Sequence, residues 1–91
     1  MNIKIEAMTL EDLEIIKDSL ISDYDNFWNY NIFKEELQNN NSKYLVAKIN
    51  NEIVGFAGIK IILDSVDIMN IVTKKTFRNK GIRNLTFEKF N

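Results

Sequence analysis

The 91-residue sequence contains no cysteine, no histidine and no proline. The absence of cysteine excludes disulfides, thiolate zinc sites, iron–sulfur clusters and a cysteine nucleophile. The absence of histidine excludes an imidazole general base and a serine–histidine triad. Chemistry carried by these residues must therefore use carboxylates, hydroxyls, lysines or main-chain dipoles.

Long apolar runs are also absent from this sequence. No stretch approaches the roughly 20 residues of a membrane-spanning helix, and the N-terminus lacks the apolar core of a signal peptide. Hydrophobic residues make up 45% of the chain and charged residues 27%, which is typical of a folded, soluble protein. We therefore expect a single cytoplasmic domain over residues 1–91.

Charge is distributed unevenly along the chain, although the net charge is only −1. Residues 1–25 contain two lysines and seven carboxylates, whereas residues 74–91 contain six cations and one carboxylate. A basic C-terminal segment suggests an anionic partner there, and a solvated basic surface is the ordinary alternative.

Apolar spacing in the first third predicts a strand and a helix. Ile3 and Ile5 alternate with polar residues, which favours a short half-buried strand. Thr9 and Asp12 have the spacing of a capping box and precede apolar residues at helical intervals. We therefore predict a helix over about residues 9–21.

A second helix is predicted after a polar and aromatic loop at residues 22–28. Asn29 or Asn31 can cap this helix, which runs through Gln38. The run of asparagines at 39–41 ends it, because asparagine tolerates the left-handed conformation.

From residue 43 the apolar period changes from helical to alternating. Strands are predicted at 43–49, 53–63 and 66–72, joined by two-residue turns at Asn50-Asn51 and Asp64-Ser65. The middle strand is apolar on both faces, which indicates a central position in the sheet. A final helix follows over 80–90. The sequence thus predicts an α+β fold with a mostly antiparallel sheet.

The most informative stretch joins the last strand to the last helix. There a strand enters a basic loop with a single glycine, Gly81, which opens a helix. Main-chain N–H groups at such a position point towards phosphate oxygens. An ordinary solvated basic loop has the same pattern, so the motif alone leaves both interpretations open.

The element order and the segment Arg78-Asn79-Lys80-Gly81-Ile82 resemble the N-terminal part of the GNAT acyl-CoA N-acetyltransferases. The sequence is similar in particular to the ribosomal-protein-alanine N-acetyltransferase branch of that family. This similarity extends through essentially the whole chain, in segments that follow the family's order: Met8-Thr9-Leu10-Glu11-Asp12, Trp28, Phe33-Lys34-Glu35-Glu36-Leu37, Tyr44-Leu45-Val46-Ala47, Ile53-Val54-Gly55-Phe56-Ala57-Gly58 and Asn70-Ile71.

The resemblance implies an acetyl-CoA site at the end of the last strand. In such enzymes the fourth strand binds the pantetheine arm, and an Arg/Gln-x-x-Gly-x-Gly/Ala loop holds the pyrophosphate. By position, the strand residues flanking the thioester and pantetheine would be Ile71, Val72 and Thr73. The loop residues surrounding the pyrophosphate would be Arg78, Asn79, Lys80, Gly81, Ile82, Arg83 and Asn84.

Two departures from the family pattern affect this expectation. Arg83 stands where the family has glycine or alanine, so its side chain must turn outward, occupy the pyrophosphate's space or pair with phosphate. A family domain is also longer, with a fifth strand beyond the last helix, so we expect residues 1–91 to be an incomplete domain. The family's usual general base and tyrosine acid are not assigned here.

Other candidate residues have simpler interpretations. Asp64, Asp67 and Glu52 could act as a base or metal ligands, but solvated turn positions are the more ordinary reading. Trp28, with Phe27 and Tyr30, could line an acceptor groove or pack against the sheet. Nucleic-acid binding is a further interpretation of the basic segment 74–89, but this segment has no set of aromatic side chains on which bases could stack.

The expected function is acetyl transfer from acetyl-CoA to a protein or peptide N-terminal amine, weak or absent in this short chain. The alternative is a non-catalytic remnant that binds acyl-CoA or another protein. Because a missing fifth strand would leave the 66–73 strand as an apolar edge, we also expect a homodimer or larger assembly through that edge.

Overall fold

The computed structural model describes residues 2–26, 29–82 and 86, with only the main chain described for Met69. Within these residues, no helix is long and apolar enough to cross a bilayer. The predicted α+β class is confirmed. The elements in chain order are β1 (Lys4–Ala7), α1 (Leu10–Ile16), a 3-10 turn (Lys17–Ser19), α2 (Leu20–Tyr24), α3 (Tyr30–Gln38), β2 (Ser42–Ile49), β3 (Glu52–Ile62), β4 (Ser65–Thr73) and a second 3-10 turn (Lys75–Phe77).

The start of α1 follows from the capping box that the sequence predicts. The Asp12 N–H donates to Thr9 Oγ1 at 3.1 Å, and the Thr9 N–H donates to Asp12 Oδ2 at 2.9 Å. Two N–H groups that a helix start leaves unpaired are thereby satisfied.

The single helix predicted over 9–21 is wrong, because a 3-10 turn separates α1 from α2. The Ser19 hydroxyl donates to the Ile16 carbonyl at 3.1 Å and competes for the acceptor that a continuing α-helix would use. The second part then extends through Tyr24, into the segment predicted as a loop. It ends at Asp25, whose φ of 54° is left-handed and whose N–H donates to the carbonyls of Ile21 and Leu20.

Helix α3 has the predicted extent but a different ending. Asn29 provides the cap, since its side chain accepts from the Ile32 N–H at 2.9 Å. Asn39 is extended (φ −78°, ψ 128°) rather than left-handed, and its side chain accepts from the Asn41 N–H. The asparagine run therefore ends the helix through a side-chain turn instead of a left-handed cap.

The four strands form one antiparallel sheet in the order β1-β2-β3-β4. The Asn50-Asn51 turn is confirmed, with φ of 52° and 68° at its two residues, as a tight hairpin requires. The second turn is one residue earlier than predicted. Ser65 already pairs with Ile62, and Leu63 takes a left-handed φ of 54°.

The sheet is covered on both faces around β3, which confirms the prediction of a central strand. Helices α1–α3 cover one face, over a core centred on Phe33, Tyr44 and Phe56. The opposite face carries a smaller cluster of Ala47, Val54 and Ile82. Lys80 and Gly81 are bends and not helical, so the helix predicted over 80–90 starts too early; Gly81 has a left-handed φ of 79°. Residues 82 and 86 are helical, and the other residues of that prediction lie outside the described residues.

Candidate active site

The predicted pantetheine segment lies at the end of β4, on a strand edge. Ile71, Val72 and Thr73 are half-buried and pair with β3. The ladder shifts register between Asn70 and Ile68, where β4 accommodates one extra residue. Such a bulge bends a strand and increases its twist. Among the described residues no strand pairs with the other edge of β4, so that edge can hydrogen-bond to an extended ligand.

The loop after β4 has a conformation that presents main-chain N–H groups. Asn79 and Gly81 both have left-handed φ, 65° and 79° respectively. In the part of the chain described, the N–H groups of Asn79, Lys80 and Gly81 donate no hydrogen bond. Successive unpaired N–H groups before a helix form a favourable environment for an anion.

The start of the last helix is held against the sheet by close packing. Ile82 is buried beside Ala47 and Val54. A Cβ added at Gly55 would lie 2.9 Å from the Val72 carbonyl oxygen and 3.5 Å from Ile82 Cγ2. Gly55 therefore permits the close approach of β4 and the helix start. A glycine inside a strand indicates such an approach, so this role of Gly55 was predictable from the sequence.

Most cations around the loop already have partners within the protein. Lys74 Nζ lies 3.0 Å from Glu52, and Lys75 Nζ lies 3.1 Å from Asp25. Arg78 donates from Nη2 to the same Asp25 at 2.9 Å and from Nε to the Thr73 carbonyl at 3.2 Å. Lys80 is exposed and has no ion-pair partner among the described residues. The positive charge expected from the sequence is thus largely neutralised locally.

Asp25 is the residue of this site that the sequence analysis missed. Hydrogen bonds from Arg78, and then from Lys75, hold the pKa of its carboxyl below the ordinary value. Asp25 precedes Arg78 by 53 residues in the chain, and no local pattern connects them. The signal available in the sequence was that aspartate tolerates the left-handed conformation, which indicates a helix end at Asp25.

The residues on either side of Asp25 also join α2 to the sheet. The Tyr24 hydroxyl donates to the Ile53 carbonyl at 2.7 Å, and Asn26 Nδ2 donates to Asn70 Oδ1 at 3.1 Å. Residues 24–26 therefore connect the end of α2 to β3, β4 and the loop. This connection fixes the position of the loop relative to the helix-covered face.

The remaining sequence candidates do not gather at this site. Glu52 pairs with Lys74, whereas Asp64 and Asp67 are exposed. Over residues 2–26, 29–82 and 86, no three potential ligands are grouped to hold a metal ion. The Tyr30 hydroxyl donates to Glu14. Four candidates lie outside the described residues: Phe27, Trp28, Arg83 and Asn84.

Comparison with known proteins identifies the fold and its relatives. The family described as Acetyltransferase (GNAT) matches residues 10–82. A Bacillus subtilis (strain 168) protein assigned as a ribosomal protein bS18-alanine N-acetyltransferase is 29% identical over 84 residues, covering 91% of this chain and 56% of that protein. The chain therefore spans about half the length of this relative.

Solved structures with the same fold include two N-acetyltransferases. The ribosomal-protein-S18-alanine N-acetyltransferase of Escherichia coli matches with a TM-score of 0.84 at 18% identity, over 98% of this chain and 57% of the other. The PaiA N-acetyltransferase of Thermoplasma acidophilum, solved with coenzyme A, matches with a TM-score of 0.73 at 18% identity, over 99% and 70%.

Proposed function

The chain belongs to the GNAT acetyltransferase family, and we propose that the end of β4 and the loop at residues 78–82 bind acetyl-CoA. In this proposal the free edge of β4 at Ile71, Val72 and Thr73 bonds to the pantetheine arm. The N–H groups of the loop bond to the pyrophosphate. The observation that carries the proposal is the left-handed loop with unpaired N–H groups, placed directly between an edge strand and a helix start.

The hydrogen-bond donors and the charge of the loop suit a pyrophosphate. Main-chain N–H groups are neutral donors that can approach phosphate oxygens closely. Gly81 has no side chain to block that approach, and no atom of the described residues lies within 4 Å of where its Cβ would be. Lys80 adds a positive charge that has no ion-pair partner in the described part of the chain. Arg83 and Asn84 complete the proposed loop by resemblance to the family motif. Bound acetyl-CoA would supply an activated acetyl thioester.

The proposed acceptor is the N-terminal amine of a protein, of the ribosomal-protein-alanine type. This proposal is supported by the name of the Bacillus subtilis relative, whose alignment covers 91% of this chain. Because its named substrate is a ribosomal protein, we propose a cytoplasmic location for this chain too. Transfer requires the amine to attack the thioester carbonyl, with a base for the amine proton and a donor for the leaving thiolate. These two roles are not assigned to particular residues.

Calorimetric titration of the 91-residue chain with acetyl-CoA tests donor binding. Three of the four cations at residues 74–80 are already ion-paired, so we expect a Kd on the order of 100 μM or weaker, about −5.5 kcal/mol. Gly81→Ala should weaken binding, and Lys43→Ala, an exposed change on β2, should not. Absence of binding at millimolar acetyl-CoA would contradict the proposal.

Transfer itself is tested by thiol release in the presence of a peptide with a free N-terminal amine. We expect release by the 91-residue chain to be weak or undetectable. A rate that depends on both substrates and is lost in Gly81→Ala would show that the chain is an active enzyme. Binding without transfer would support the alternative of a non-catalytic acyl-CoA-binding protein.

A second proposal is self-association through β4. The strand is a sheet edge among the described residues, and its apolar Val66 and Ile68 are 60% and 53% exposed. Leu63 in the adjoining turn is 94% exposed. An unprotected apolar edge readily pairs with another strand. We therefore propose a homodimer or larger assembly through the 66–73 edge, in which strand pairing at residues 71–73 and pantetheine binding exclude each other.

Sedimentation at micromolar concentration tests this assembly. Ile68→Lys should weaken it, because lysine on an edge strand discourages pairing. Ile15→Lys is the matched control, since Ile15 is a similarly exposed isoleucine on α1 (68%). A monomeric wild-type chain would contradict self-association, and equal effects of both changes would exclude the β4 edge as the contact.

A further inference from the structure

Asp25 lies where the end of α2 meets the loop, and we propose that it is a positioning residue that limits how strongly the loop binds phosphate. Its carboxylate holds Lys75 and Arg78, the two cations that precede the left-handed loop. An arriving phosphate anion takes over one or both of these cations from Asp25. The inference rests on the proposed function of the loop.

The carboxylate is presented from a fixed main-chain position. Asp25 caps α2 with its N–H directed at the carbonyls of Ile21 and Leu20, and the Asn26 N–H donates to Leu20 at 2.8 Å. The neighbouring bond from Asn26 to Asn70 ties this helix end to β4. The main chain of Asp25 is therefore anchored through α2 and β4 and not through the loop, so its carboxylate is a counter-ion presented from outside the loop.

The two cations can exchange partners at low cost. The side chains of Asp25, Lys75 and Arg78 are all nearly half exposed, and ion pairs in such settings are weak. Arg78 also donates from Nε to the Thr73 carbonyl at 3.2 Å. This bond can keep the arginine beside the end of β4 while its terminal nitrogens turn from carboxylate to phosphate, which arginine binds in the same forked geometry.

The expected effect of Asp25 on affinity is modest and depends on salt. Removing one negative charge beside two cations should strengthen binding of a multiply charged anion by about two- to fivefold at low ionic strength. The gain should decrease as ionic strength rises, because salt screens these exposed charges. The same removal should lower the stability of the unliganded chain, because two ion pairs are lost.

Titration with inorganic pyrophosphate at low and at moderate salt tests the inference. We expect Asp25→Asn to bind two- to fivefold more tightly than the wild-type chain at about 20 mM salt, and by a smaller factor at about 200 mM. Asp25→Glu, which keeps the charge, should restore wild-type affinity. Asp23→Asn is the matched control: it makes the same change in net charge on α2, and among the described residues the Asp23 side chain accepts a hydrogen bond from Ser22 alone.

Thermal unfolding of the same variants without pyrophosphate completes the test. If Asp25 had a merely structural role, its replacement would lower both the stability of the chain and its affinity for pyrophosphate. We expect Asp25→Asn instead to lower the stability and to raise the affinity. Unchanged or weaker pyrophosphate binding by Asp25→Asn, beside a wild-type chain that binds, would overturn this inference and leave the proposed function standing. If no variant binds pyrophosphate, the loop is not an anion site and both proposals are wrong.

Discussion

Replacement of Gly81 by alanine tests whether the loop needs its left-handed main-chain conformation. Gly81 has a φ of 79°, and an added Cβ would meet no atom of the described residues within 4 Å. The effect of Gly81→Ala on stability should therefore come from the main-chain conformation and not from a clash with the described residues, whereas its effect on affinity can also include contact of the new Cβ with the ligand. Alanine disfavours this region because its Cβ crowds its own main chain.

The magnitude follows from that conformational cost. A non-glycine residue held at left-handed φ costs about 1–2 kcal/mol. The variant can retain the loop and lose about that much stability, or turn to negative φ and redirect its N–H groups. In the second case acetyl-CoA binding must restore the strained loop, which reduces affinity by about five- to thirtyfold.

Two measurements together determine which response occurs. Urea unfolding gives the loss of stability, and calorimetry gives the loss of affinity for acetyl-CoA. Asn79→Gly is the control, because glycine retains access to the left-handed φ of 65° found there and should preserve affinity. Stability and affinity both equal to wild type in Gly81→Ala would refute the claim that this conformation is needed.

Three further outcomes are expected. Gly58→Ala would place a Cβ 2.1 Å from the ring of Tyr44, so urea unfolding should show a loss of about 3 kcal/mol; a loss below about 0.5 kcal/mol would show that the ring moves freely. Thr9→Ala removes the α1 cap and should cost about 1 kcal/mol by the same assay, and a neutral result would mean that the capping box adds nothing. Burial raises the pKa of Asp12, but hydrogen bonds from Thr9 and Lys48 outweigh it and the net pKa is lowered. Its stabilising contribution should therefore be complete above the unfolded pKa of about 4 and be lost below it, and Asp12→Asn should flatten this part of the pH profile.

Local patterns were sufficient to predict most elements of the fold. The Thr9 cap and the Asn50-Asn51 turn depend on residues close together in the chain, and both occur as predicted. The strand pattern likewise predicted β3 as the central strand. The failures arose where a side chain competed with the main chain, as Ser19 does at the break between α1 and α2. The turn at Leu63 was missed because a leucine with left-handed φ contradicts ordinary turn preferences.

The candidate site was predictable only in outline. A basic loop with one glycine between a strand and a helix indicated where an anion could bind, and the family resemblance added the kind of ligand. The pairing of Lys75 and Arg78 with Asp25 was not predictable, because it depends on the packing of α2 against the sheet. Counting charges along the sequence therefore overestimated the positive charge available to a ligand.

The proposed binding of acetyl-CoA by the loop is tested most directly by amide chemical shifts during titration. In ¹H–¹⁵N spectra of the 91-residue chain, we expect the largest changes at Asn79, Lys80 and Gly81, because their unpaired N–H groups would gain phosphate acceptors. Smaller changes should follow at Ile71 to Thr73 along β4. Saturating shifts confined to other parts of the chain, or no shifts at millimolar acetyl-CoA, would contradict the account.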